Sequence, residues 1–72
     1  MNGASNRLYW DGTYALARAL IDAHPDADVE HVSLEMVCRW VLELPEFDDD
    51  PALVNEAILL SIVQEWYEEV SA

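Results

Sequence analysis

The sequence predicts an all-helical single domain, and three observations point there. Three segments repeat apolar residues at spacings of three and four, the period of a helix that buries one face. Prolines at 25, 45 and 51 punctuate those segments at the positions where helices stop or start. No alternating polar and apolar run is long enough to demand a sheet. At 72 residues there is room for one core and for no second domain. An apolar fraction of 53%, including Trp10, Trp40 and Trp66, supplies the burial a short chain otherwise lacks, so the domain is expected to fold without staples, with all three tryptophans in the core.

Residues 1–8 read as a polar tail outside the fold, which leaves 9–72 as the domain. The first helix is expected from Tyr14 to Ala23, where Tyr14, Leu16, Ala17, Leu20 and Ile21 share a face and Arg18 and Asp22 sit one turn apart on the polar side. Asp11 and Thr13 are both candidate caps. His24 ends the helix, because a residue before proline is pushed out of the helical region. Asp28 to Val32 can form a brief extended stretch. Ser33 is the expected N-cap of a second helix, with Leu34, Val37, Cys38 and Val41 inward and Met36 and Trp40 flanking. On its outer side Glu35, Arg39 and Glu43 follow at i, i+4, a pattern for surface ion pairs worth about 0.3 kcal/mol each. Pro45 closes that helix. The third helix is expected from Pro51 to about Glu69, with Asp50 as its cap and Pro51 at the first position, where a missing N–H is harmless. Its apolar band, from Leu53 and Val54 through Ala57, Ile58, Leu60, Ile62 and Val63 to Trp66 and Tyr67, makes it the central core helix.

Fifteen acidic residues stand against three arginines and no lysine, for a formal net charge of −12. Such a field repels nucleic acid and anionic lipid and attracts basic protein surfaces and cations. The N-terminal stretch lacks the apolar core of a signal peptide, and no run approaches the roughly 20 apolar residues that span a bilayer. With a single cysteine, Cys38, no intramolecular disulfide or multi-cysteine metal site can be built. A cytoplasmic protein, without membrane or nucleic-acid partners, is the expectation.

The acids cluster most tightly in Asp48, Asp49 and Asp50. Asp50 is explained as a cap facing the positive end of a helix dipole, but three adjacent carboxylates repel one another and capping needs only one. An EF-hand loop read from Asp48 puts Leu53 at the turn glycine and Leu59 at the bidentate glutamate, and starting from Asp49 or Asp50 does no better. What remains is an open carboxylate patch suited to weak binding of hard cations such as Fe²⁺, Mn²⁺, Mg²⁺ or Ca²⁺. At the far end Glu65, Glu68 and Glu69 crowd the last turn of the third helix, where the dipole favours cations, and Glu65 and Glu69 are like charges at i, i+4. Such a breach of local rules marks either a functional surface or inexpensive solubilising residues. His24 and His31 are not spaced as a ligand pair, and Cys38 reads as a small core residue. Neither a Ser/His/Asp nor a Cys/His grouping is present, and two glycines cannot make a phosphate loop, so no enzyme is expected.

The stretches "YWDG", "ALIDAHPDAD", "CRWVLELPEFDDDPALVNEAIL" and "EWYEE" come in an order and spacing that resembles the IscX family, small acidic proteins of bacterial iron–sulfur cluster assembly. The resemblance runs from Tyr9 to Glu69 and is most specific between Trp40 and Glu56. It implies a compact helical fold like a winged helix with little or no sheet. It implies a monomer that acts as an adaptor or regulator without catalysis, binding the cysteine desulfurase IscS on the basic surface also used by frataxin. It further implies weak, surface-bound iron(II). Carried over by position, the family's acidic sites match Asp22, Asp26 and Asp28, then Glu43, Glu46, Asp48, Asp49, Asp50 and Glu56, and finally Glu68 and Glu69, as partner-binding residues. Of these Asp22, Asp26, Asp28, Asp48, Asp49 and Asp50 are the candidate iron ligands. Trp10, Trp40, Phe47 and Trp66 match its aromatic framework, whereas Gly12 and Leu60 stand where the family has acids. Two rival functions fit the charge: an iron buffer or donor with desulfurase docking secondary, and an acidic mimic of nucleic acid.

Overall fold

A computed structural model of the chain describes residues 7–71. It is all-α: α1 spans Thr13–Ala23, α2 Leu34–Glu43 and α3 Glu56–Ser71. Two 3-10 turns, Val29–His31 and Pro51–Leu53, precede α2 and α3. The one trace of sheet among the described residues is a single parallel bridge between Leu8 and Phe47. Helix α3 packs against both others, and Leu59, Ile62 and Trp66 are its buried residues. Opposite them lie Leu16, Ala17 and Leu20 of α1 and Val37 and Val41 of α2. At 0–1% exposure these α1 and α2 side chains fill the spaces between helices, and truncating any of the larger ones would cost about 2–5 kcal/mol.

Ser33 caps α2 as its sequence context requires: its hydroxyl accepts the Met36 N–H at 3.1 Å, and Leu44 before Pro45 is the last residue to donate into the helix. The start of α1 differs from expectation. Its cap is Gly12, with no side-chain bond, because Thr13 already lies inside the helix and Asp11 belongs to the turn closed by Gly12 N–H on the Tyr9 carbonyl. The start of α3 is also later than expected. Asp50 and Pro51 open only the 3-10 turn, Val54 then returns to extended backbone, and Asn55 caps the helix by accepting the Ile58 N–H at 2.9 Å. The stretch from Asp28 to Val32 is likewise not extended throughout: Asp28 accepts the Glu30 N–H at 3.0 Å and winds Val29–His31 into a turn.

Of the expected N-terminal tail, residues 1–6 lie outside the described residues, and its last two are joined to the domain. Leu8 donates its N–H to the Glu46 carbonyl and accepts that of Asp48, both at 2.9 Å. Trp10 and Trp66 are buried, but Trp40 is only half-buried and carries the His24 imidazole stacked on it at 3.9 Å between ring centroids. His24 thus closes α1 through its backbone N–H on Leu20 and covers an indole with its ring. Cys38 is half-buried at the edge of the core. Among the described residues Arg39 makes no ion pair with Glu35 or Glu43, in contrast to the expected ladder.

Candidate functional site

The three consecutive aspartates occupy the loop between Pro45 and the Pro51 turn, and each carboxylate has a partner within the chain. Asp48 accepts from Arg7 at 3.1 Å, an exposed pair. Asp49, half-buried, accepts the backbone N–H of Trp10 at 3.0 Å with one oxygen and that of Asp50 at 2.7 Å with the other. Asp50 caps the following turn through Ala52 N–H at 2.9 Å, and its carbonyl receives the Trp10 indole N–H at 2.8 Å. Phe47 sets its ring edge-on to Trp10 at 4.8 Å. These contacts fasten segment 7–12 to segment 46–50, and they satisfy both donors of a buried tryptophan, which would otherwise be costly to leave unmade. The apparent surplus of negative charge in this loop is therefore largely structural.

The crowded end of α3 is partly resolved in the same manner. Glu69 accepts the Tyr14 hydroxyl at 3.0 Å and lies 3.8 Å from Arg18, so it links α3 to α1. Its carboxylate raises the Tyr14 pKa above 10.0, first by accepting that hydrogen bond and second by direct repulsion of a phenolate. Arg18 also reaches Asp22, at 4.0 Å. Glu68 accepts from Gln64 at 3.0 Å. Glu65 and Glu68 border a shallow hollow with Thr13, Leu60, Ser61 and Gln64.

In the α1–α2 connection Asp28 caps its turn and pairs with His31 at 2.7 Å. Its pKa falls below 3.8, first because the Glu30 N–H bonds the ionised form and second through the His31 ring. Asp26, Glu43, Glu46 and Glu56 are exposed, and none has a side-chain hydrogen bond or ion pair among the described residues. Glu46 shares a surface hollow with Asp22 and Arg18, so predicted sites from distant segments meet there around a cation.

The six candidate iron ligands are spread over three places: the α1 end with Asp22, the following connection with Asp26 and Asp28, and the loop from Asp48 to Asp50. Among the described residues no group of three or more His, Cys, Asp or Glu side chains converges as a metal-binding set. Nor is any helix long and apolar enough to cross a membrane. The structural residues that sequence reasoning missed include Leu8, Asn55 and the buried Val29, Leu44 and Leu59. Asn55 had a readable signal, a favoured cap residue just before an acid and an apolar run; the Leu8 bridge joins residues 39 apart and had none.

Comparison with known proteins places these features in a family. A protein of Pseudomonas aeruginosa, itself uncharacterized, is 39% identical over 62 residues, covering 86% of this chain and 94% of its own length. A family model described as iron-sulphur cluster assembly matches residues 8–71. That span opens on the residue bridged to Phe47 and closes on the last residue of α3, so it takes in the Trp10 clasp, the aspartate loop and all three helices. The chain accordingly belongs to this iron–sulfur cluster assembly family, that of IscX.

Proposed function

We propose that the protein is a non-enzymatic adaptor of iron–sulfur cluster assembly that docks exposed carboxylates onto a basic surface of a cysteine desulfurase, the surface that frataxin also uses. The supporting observation is that Asp26, Glu43, Glu46 and Glu56 are exposed and unengaged in a chain of net charge −12. Internal hydrogen bonds account for Asp28, Asp49, Asp50 and Glu69, but among the described residues no side-chain hydrogen bond or ion pair engages those four. A positive partner surface neutralises them on contact, which speeds encounter and makes the association salt-sensitive. Asp22, Asp48 and Glu68, each exposed and lightly held by one partner, extend the same surface.

Iron(II) binding belongs to the proposal as a weak property. Without a converging cage, ions are held by one or two carboxylates and water, as hard cations are on open surfaces. The α1 end with Asp22, the connection with Asp26 and Asp28, and the loop from Asp48 to Asp50 are the three places for it.

Binding of the purified protein to the desulfurase of the same cell, followed by calorimetry as salt rises from dilute buffer, tests the function. Association that weakens steeply with salt is expected. Absence of association in dilute buffer, where attraction between unlike surfaces is greatest, rejects it.

A further inference from the structure

One apolar feature is left over once the acidic surface has been assigned. Helix α2 turns Val37 and Val41 wholly inward, yet Met36 and Leu42 remain 39% and 43% exposed. Beside Leu42, the outer side of α2 and Leu59 of α3 form a shallow groove that Cys38 and the charged Glu35, Arg39 and Glu43 also line. The three charges lie at i, i+4 and i+8, so a negative, a positive and a negative group follow one another along about 12 Å of helix. None of them is paired within the chain among the described residues.

We infer that this groove receives an amphipathic basic helix of another protein, with an apolar side chain seated against Cys38, Leu42 and Leu59. Its Lys or Arg residues meet Glu35 and Glu43, and an acid between them meets Arg39. Helix-in-groove docking uses this arrangement, an apolar anchor row framed by charges that fix register. A second copy of this chain is a poor occupant, because two bodies of charge −12 repel one another. A positive segment gains from the same field. Of its lining residues only Glu43 is also assigned to the desulfurase surface, and the test uses no desulfurase, so either proposal can fail alone.

The probe is a synthetic helical peptide with a leucine stripe flanked by Lys, Glu and Lys at i, i+4 and i+8, set against a twin with those charges reversed to Glu, Lys and Glu. Cys38 is the only cysteine and reports occupancy directly through its alkylation rate. The first peptide should bind at least about tenfold more tightly than its twin and slow Cys38 alkylation in proportion to occupancy. Leu42→Glu, at an exposed position, should weaken it by about tenfold with helicity unchanged. The double variant Glu35→Lys with Glu43→Lys should reverse the preference between peptides. Equal binding of both peptides, or binding that leaves Cys38 alkylation and Leu42→Glu without effect, overturns the inference. So does a dimer in sedimentation that Leu42→Glu dissociates, since the face would then belong to a second copy.

Discussion

In the loop before α3 three adjacent carboxylates each have a partner inside the chain, whereas Asp26, Glu43, Glu46 and Glu56 have none among the described residues. The chemistry is the same in both regions, and what separates them is the presence of donors. Arg7 faces Asp48, the Trp10 backbone N–H faces Asp49 and the Ala52 N–H faces Asp50, while the Trp10 indole bonds the Asp50 carbonyl, so the carboxylates there help close the fold. Around the other four no donor among the described residues bonds the carboxylate, so they remain available to a positive partner. Charge density along a sequence therefore does not tell structural acids from available ones; the geometry of the donors does.

Removing the Asp49 carboxylate breaks this comparison most strongly. Asp49→Ala leaves the partly buried Trp10 N–H without an acceptor and should destabilise the fold by about 2 kcal/mol. Urea unfolding followed by tryptophan fluorescence measures the change. Asp49→Asn keeps one acceptor oxygen and should recover roughly half the loss, which separates the hydrogen bond from the charge. Asn55→Ala and Asp50→Ala, each removing one cap, should cost about 1 kcal/mol. Neutralising the unengaged set through Asp26→Asn, Glu43→Gln, Glu46→Gln and Glu56→Gln should leave stability within about 0.5 kcal/mol per site.

Two pH effects of smaller size sharpen the contrast. Asp28 is more acidic in the fold than its ordinary value of 3.8, so its contribution is complete above that value and is lost as pH falls through the lower folded one. Asp28→Asn should flatten that acid limb of the stability curve. Tyr14 is shifted the other way: its folded pKa lies above 10.0, so its contribution is complete below 10 and is lost as pH rises through the folded value. Phenolate absorbance should show one late-titrating tyrosine that Tyr14→Phe removes and Glu69→Gln brings back toward the ordinary range.

Much of the helical layout was legible because its determinants are local. Ser33 with its following apolar period, the residues before Pro25 and Pro45, and the Arg18 and Asp22 pair all act within one or two turns. The α3 start was misplaced because Asp-Pro opens a 3-10 turn and an α-helix with the same signal, and only the extended Val54 tells them apart. The roles of Asp48, Asp49 and Glu69 could not be read locally, since their donors lie 41, 39 and 55 residues away. Trp40 departs from the other tryptophans for a similar reason: its outer face is covered by His24, a contact fixed by how α1 ends over α2.

The account rests on the division between engaged and available carboxylates, and a single pair of affinities tests it most directly. Calorimetry in dilute buffer should compare desulfurase binding by the wild type with that of the variant Glu43→Gln, Glu46→Gln, Glu56→Gln, after circular dichroism has shown unchanged helicity. The account predicts a loss of about tenfold or more for the variant, with a shallower salt dependence. Equal affinity and equal salt dependence in the folded variant would contradict it.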